Sequence, residues 1–391
     1  MHTSFDLLAI FIVILTQWHM SRQFLDAARR RFSPHGLRLM RRAVLVFYFL
    51  QAIGFALGFS YLASRYRLPA SPSQVAGAVS QIWLFGSTAS YLAYRLFRLV
   101  FDRFRGSAFN PGFDPNRRRL LNATGSALIA APFAMVGYGA LVERLDFRVR
   151  EIEVPIPNLP DGLDGLRLVQ LSDIHLSAFL SEKDLARVID SANELRPHLA
   201  LVTGDLITAA GDPLDACLRQ ISRLRADAGI LGCLGNHENY AMAEDYTERA
   251  GARLGIPFLR GRAQALRFGK GVLNVAGVDY QRSSVEYLPG AERLALPGAC
   301  NLLLSHNPDV FPVAARKGYD LMLAGHTHGG QVTVEILHQP VNAARFITPF
   351  VYGLYREGPA ATYVTRGIGT IGIPMRIGAP PEIALLRLRK A

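Results

Sequence analysis

The chain has 391 residues, half of them apolar and 19% charged, with three cysteines and none in a Cys-x-x-Cys pair; this excludes a disordered chain, a disulfide-built scaffold and a thiolate zinc site. The formal net charge of +12 has the sign of a nucleic-acid binder, but residues 1–146 hold 17 arginines, no lysine and six acids, which places +11 of it in the N-terminal third. Basic loops between apolar stretches report membrane topology, and the near-neutral remainder argues against any specific nucleic-acid partner.

Four apolar stretches occupy residues 1–145. The first, about 5–20, begins beside Asp6 and is short for a span. The others, about 43–63, 75–94 and 120–142, are free of charge and reach the roughly 20 residues a spanning helix needs. Segments 21–42 and 95–119 each carry seven arginines, whereas 64–74 carries only Arg65 and Arg67. Positive loops stay in the cytoplasm. We therefore expect a multi-pass protein of the cytoplasmic (inner) membrane, with everything after Val142 on the extracytoplasmic side whether or not the first stretch spans. The expected units are a transmembrane region over 1–145 and a globular domain over 146–391.

From about Asp146 the pattern changes. Leu166–Leu171, Leu199–Thr203, Ile230–Leu234, Val272–Val278, Leu302–Leu304 and Leu321–Ala324 read as buried strands. Glu182–Leu195 and Leu214–Leu224 read as helices, the first stopped by Pro197. Strand alternating with helix predicts an α/β domain with helices on the faces of a sheet.

Five of these strands end in polar residues of one chemical kind: Ser172-Asp173-Ile174-His175, Gly204-Asp205, Gly235-Asn236-His237-Glu238, Ser305-His306 and Gly325-His326-Thr327-His328-Gly329. Residues two apart on a strand point to the same side, so Asp173 with His175, and His326 with His328, can each converge on one point. Open α/β sheets place their sites at the carboxyl ends of strands. Imidazole and carboxylate suit Zn, Mn or Fe. Seven such donors exceed one ordinary ion and suit two ions bridged by a carboxylate, a pair able to polarise a phosphoryl oxygen. The glycines at 204, 235, 325, 329 and 330 are expected to allow tight turns and close approach of a substrate.

Taken in order, these motifs resemble the calcineurin-like metallophosphoesterase family over about residues 150–391. Thr365-Arg366-Gly367-Ile368-Gly369, followed by Pro374-x-Arg376 and Pro380-Pro381-Glu382-Ile383, is similar to its bacterial membrane-anchored or exported branch. The resemblance implies N-terminal transmembrane helices followed by a four-layer α/β/β/α sandwich. It implies two divalent metal ions, one on Asp173, His175 and His328, the other on Asn236, His306 and His326, with Asp205 bridging. His237 would sit over the phosphate as the catalytic residue, and metal-activated hydroxide would hydrolyse a phosphate ester or pyrophosphate. Relatives carry an acid three residues after the bridging Asp to orient that histidine; Thr208 stands there instead, leaving Asp212 or another loop carboxylate as the candidate. Glu238 is expected to bond backbone, and Arg366 and Arg376 either contact phosphate or form salt bridges.

A site tethered to a bilayer gains effective concentration on substrates in that bilayer, so a lipid-linked phosphate is the expected substrate and membrane lipids the expected partners. A general phosphodiesterase or nucleotidase acting on soluble substrates is the competing enzyme. A metal-binding membrane scaffold without turnover is the competing class.

Overall fold

The computed structural model describes residues 2–57, 70–108, 115–282, 286–336 and 339–391. Arg65 and Arg67, on which part of the topology expectation rests, and residues 109–114 of the expected loop lie outside the described residues.

The chain divides into two compact units, one drawn from Met1–Phe59 and Pro72–Ala140, the other built chiefly from Leu141–Ala391. The first is helical: α1 (His2–Arg29), α2 (Pro34–Leu57), α3 (Ala70–Ala108) and α4 (Pro115–Leu141). Two stretches are long and apolar enough to cross a membrane, Pro34–Leu57 and Ala123–Leu145, with mean hydropathies of 1.4 and 1.6. They overlap two of the expected spans, about 43–63 and 120–142, of which residues 58–63 lie outside the described residues. The stretch at 75–94 falls short of this measure among the described residues. For 75–94 the reason is a polar seam: Ser80, Gln81, Ser87, Thr88 and Ser90 are all buried. Gln17 of α1 donates to the Ser87 and Thr88 hydroxyls at 2.8 and 3.1 Å and accepts from the Tyr48 hydroxyl of α2 at 3.2 Å. Side-chain hydrogen bonds of this kind join helices where apolar burial alone gives little preference.

The second unit contains β1 (Arg148–Ile156), β2 (Arg167–Leu171), α5 (Glu182–Glu194), β3 (Leu199–Thr203), α6 (Leu214–Ile221), β4 (Ile230–Cys233), α7 (Asn236–Tyr240) and α8 (Glu244–Arg253). It continues with β5 (Arg262–Phe268), β6 (Gly271–Gly277), β7 (Cys300–Leu304), α9 (Phe311–Arg316), β8 (Leu321–Ala324), β9 (Thr333–Ile336), β10 (Gln339–Asn342), β11 (Gly353–Glu357), β12 (Ala360–Val364) and β13 (Glu382–Lys390). Ser181 starts α5 with a capping box: its hydroxyl accepts from the Asp184 N–H, and the Asp184 carboxylate accepts from the Ser181 N–H.

Two sheets form. One has the order β1-β13-β2-β3-β4, with β2, β3 and β4 parallel and β13 antiparallel to β2. The other has the order β11-β12-β8-β7-β6-β5, parallel from β12 to β6 and antiparallel at both edges. Strand alternation then builds the layers. Leu199 and Leu201 of β3 meet Leu302 and Leu304 of β7 and Leu321 and Leu323 of β8 in a core between the sheets. Ala200 and Val202 face the opposite way, onto Leu185, Val188 and Ile189 of α5 and Leu218 of α6. Leu303, Met322 and Ala324 turn outward onto Phe311 and Ala314 of α9. β3, β7 and β8 are buried on both faces, which is why each reads as an unbroken apolar run. The result is a four-layer α/β/β/α sandwich, and each such buried leucine or valine contributes about 1.5–3 kcal/mol.

The five polar strand ends belong to two sheets, not one row. β2, β3 and β4 carry three of them; β7 and β8 carry two. Face-to-face packing brings both sets to a common rim.

Candidate metal centre

The seven donor residues read from the sequence lie together. Among the described residues, donor atoms of Asp173, His175 and His328 fall within 4.8 Å of one another, as do those of Asp205, His306 and His326. His175, Asp205 and His237 form a third such set, so Asp205 belongs to two of the three and stands between them. Asn236 is buried at the first turn of α7 beside them.

Backbone conformation gives the first sign that these positions are specialised. Asp173, His175, Asp205, His326 and His328 all have positive φ, between 47° and 75°. Left-handed φ in a non-glycine residue costs free energy and persists only when its surroundings impose it. Here the chain turns sharply at the end of each strand, and the turn re-aims the side chain into the rim.

Hydrogen bonds fix the turns. Asp173 accepts the His326 N–H at 2.9 and 3.1 Å, tying β2 to β8 across the two sheets. Asp205 accepts the His237 N–H through Oδ1 at 2.9 Å, leaving Oδ2 turned to the imidazoles, 3.0 Å from His306 Nε2 and 3.5 Å from His175 Nε2. Glu238 is buried and accepts three backbone N–H groups, from Asp205 at 3.0 Å, Leu206 at 2.7 Å and Gly235 at 2.7 Å. It holds the Asp205 loop against α7. The glycines serve this packing: a Cβ on Gly235 would sit 2.1 Å from Asp205 Oδ1, and one on Gly325 would sit 2.3 Å from Asp173 Oδ2. At these two positions the space freed by glycine is filled by carboxylates, where the sequence reading assigned it to substrate.

His237 is oriented by main chain. Its Nδ1 donates to the Thr208 carbonyl at 2.6 Å, which fixes the ring and leaves Nε2 as the nitrogen this bond does not engage. Asp212 Oδ2 accepts the N–H groups of Thr208 and Ala209, each at 2.9 Å, and so sets the loop that presents the carbonyl. The Thr208 hydroxyl faces His175 Nδ1 at 3.3 Å. The orienting task that the sequence reading gave to an acid falls here to the Thr208 carbonyl, held from behind by Asp212.

The donor chemistry fits divalent cations. Nε2 of His175 and Oδ1 of Asn236 are buried without a hydrogen-bond partner, and such orphaned atoms are costly unless something binds them. Burial, reinforced by His237, pushes His175 down to about 3; burial and His306 push His326 down to about 4; burial and His175 push His328 well down. All three are neutral imidazoles near pH 7, the form that ligates metal. His306 is the opposite: burial opposes its charge, but Asp205 and Asp173 outweigh burial and raise it to about 10. Burial also raises Asp173 to about 6. For Asp205 burial works upward but His306 and His237 prevail, holding the carboxyl well below its usual range. In the metal-free rim one proton on His306 offsets the central carboxylate.

The arginines have structural tasks. Arg376 is fully buried and donates to the carbonyls of Gly369, His328, Ala379 and Arg366, clamping the His328 turn to the C-terminal loop. Arg366 stacks over the Tyr352 ring with Cζ 4.3 Å from its centroid and lies 3.9 Å from Glu382. Two residues escaped the sequence reading. The Tyr240 ring lies 5.4 Å from the His237 ring, and the Tyr280 ring lies 5.4 Å from His326 and 6.2 Å from His306. Position was the available signal: Tyr240 is one turn beyond His237 on α7, and Tyr280 follows the end of β6.

Residues 166–330 match a family model described as calcineurin-like phosphoesterase. A Danio rerio protein named transmembrane protein with metallophosphoesterase domain is 33% identical over 65% of this chain and 60% of its own length, so the chain spans less than two thirds of that relative. The Bacillus subtilis protein named uncharacterized metallophosphoesterase YkuE is 29% identical over 70% of this chain and 98% of its own length. The Escherichia coli protein named phosphodiesterase YaeI is 28% identical over 70% and 99%.

Proposed function

The chain carries a calcineurin-like phosphoesterase domain, and from that premise we propose that it is a membrane-anchored, two-metal hydrolase of phosphate esters whose substrates share its bilayer. The observation that carries this reading is the position of Asp205, whose carboxylate lies between His306 and His175 in a rim of orphaned buried donors. Asp173, His175 and His328 would hold one ion, Asn236, His306 and His326 the other, and Asp205 both. Bound divalent ions supply Lewis-acid polarisation of the phosphoryl oxygens and lower the pKa of water.

The chain's own residues do the rest. Asp173 and Glu238 hold the ligand turns rigid through backbone N–H groups, which preorganises the site before substrate arrives. His237, with Nδ1 bonded to the Thr208 carbonyl, presents Nε2 to the substrate side, where it steadies charge on the phosphoryl group or protonates the departing oxygen. Membrane anchoring is supported by the two apolar stretches, by the arginine distribution and by relatives whose names include a transmembrane region. Lipid-linked phosphates follow from tethering.

The test uses the detergent-solubilised full chain with Mn²⁺ and a chromogenic phosphodiester. The wild type is expected to hold two ions per chain and turn over; Asp205→Ala is expected to lose both metal and turnover. Turnover retained in Asp205→Ala removes the two-metal reading.

A further inference from the structure

We propose that Tyr240 and Tyr280, braced by Arg282, form a subsite for a planar aromatic group carried by the phosphoester substrate. The inference rests on the hydrolase reading and names a feature of the ester group that the reading leaves open.

The two rings border the donor cluster at different histidines. Tyr240 packs edge-on to His237 at 5.4 Å between centroids, and Tyr280 lies tilted against His326 at 5.4 Å. His237 and His326 belong to separate donor sets that have Asp205 in common, so both rings adjoin histidines that gather around Asp205. Tyr240 is 53% exposed and Tyr280 half-buried, so ring surface is available to a ligand. The Arg282 guanidinium lies 5.8 Å from the Tyr240 centroid, over its face. That cation–π contact steadies an otherwise exposed ring and sets a positive charge beside the place where a phosphate arrives.

Aromatic side chains favour planar partners through offset or edge-on contact beyond simple area burial, and this preference tolerates many ring identities. An acyl chain offers no such ring. On a substrate anchored in a bilayer, the planar group therefore belongs to the polar part, joined to the phosphate.

Phenylphosphonate and cyclohexylphosphonate share an anionic head and differ in the planarity of a ring of similar size. Their binding to the Mn²⁺-loaded full chain, measured by titration calorimetry, reads the subsite without requiring turnover. Phenylphosphonate is expected to bind about five-fold tighter. The ratio is expected to fall towards one in Tyr240→Leu and Tyr280→Leu and to return in Tyr240→Phe and Tyr280→Phe. Equal binding by the wild type, or a ratio unchanged in both leucine variants, overturns the proposal. A chain that shows the ratio but hydrolyses no phosphoester loses the hydrolase reading and keeps the subsite.

Discussion

A main-chain carbonyl, not a carboxylate, holds His237 Nδ1, and the difference has a measurable consequence. A carboxylate behind an imidazole raises its basicity; a neutral carbonyl orients it with a smaller electrostatic effect. The orientation then depends on the loop that carries the carbonyl, and that loop is held by Asp212. His237→Ala is expected to slow turnover by ~10²–10⁴-fold, the range for loss of a general acid or base, while leaving the metal content at two. Asp212→Ala is expected to slow it by about ten-fold through a misplaced carbonyl, and Thr208→Val by less, since the main chain of Thr208 makes the bond. Steady-state kinetics with metal analysis on the three variants checks the order. A loss in Thr208→Val equal to that in His237→Ala would show that the side chain, not the carbonyl, orients the histidine.

At the scale of elements, four strand ends deliver imidazoles and carboxylates whose proton affinities are pulled in opposite directions, so the metal-free domain has a worked-out pH response. His175, His326 and His328 are depressed below the usual histidine value of about 6.5. As pH falls through 6.5 the unfolded chain takes up protons there and the folded chain does not, so stability is lost on acidification. Asp173, raised to about 6, works the other way between its ordinary value and 6, but one carboxyl offsets only one of three histidines. His306 is raised to about 10, so between 6.5 and 10 the folded chain holds a proton that the unfolded chain has released. Stability is lost again as pH rises through that window. The metal-free domain is therefore expected to be most stable near pH 6.5, falling by up to about 1.4 kcal/mol per pH unit for each unmatched proton. Metal displaces the His306 proton, so loading with Mn²⁺ is expected to abolish the alkaline limb. Thermal unfolding of chelator-treated and loaded protein from pH 5 to 9 tests both limbs; an alkaline limb that survives loading would mean that His306 is not a ligand. The donors were legible in the sequence because each sits within a few residues of a strand end, where local pattern suffices. β13 was not legible: Glu382–Lys390 inserts between β1 and β2, more than 200 residues away in sequence, and its fitness for that slot depends on partners that no local window contains. The Thr208 carbonyl was invisible for another reason, since every residue has one and only the fold decides which is aimed at a histidine.

At the scale of the whole molecule, the argument from arginine placement can be set against the chemistry of the catalytic unit. Seven arginines lie in 21–42 and seven in 95–119, and both segments are expected to remain cytoplasmic. The apolar stretch Ala123–Leu145 follows the second segment, so the globular unit is expected on the outer side. An oxidising compartment threatens exposed thiols, and here Cys217, Cys233 and Cys300 are all buried and unpaired. Burial raises all three thiols, Cys300 to about 12, which keeps them protonated and unreactive. The domain is thus compatible with the far side of the membrane without any disulfide. Alkaline phosphatase, which needs that oxidising side to become active, is expected to be active when fused after Ala391 and inactive when fused at Phe32. Replacing the seven arginines of 95–119 with glutamine is expected to lower the first signal, because the charge that anchors the segment is gone. Activity at Phe32 with silence at Ala391 would invert the topology and with it the compartment in which substrate must be sought.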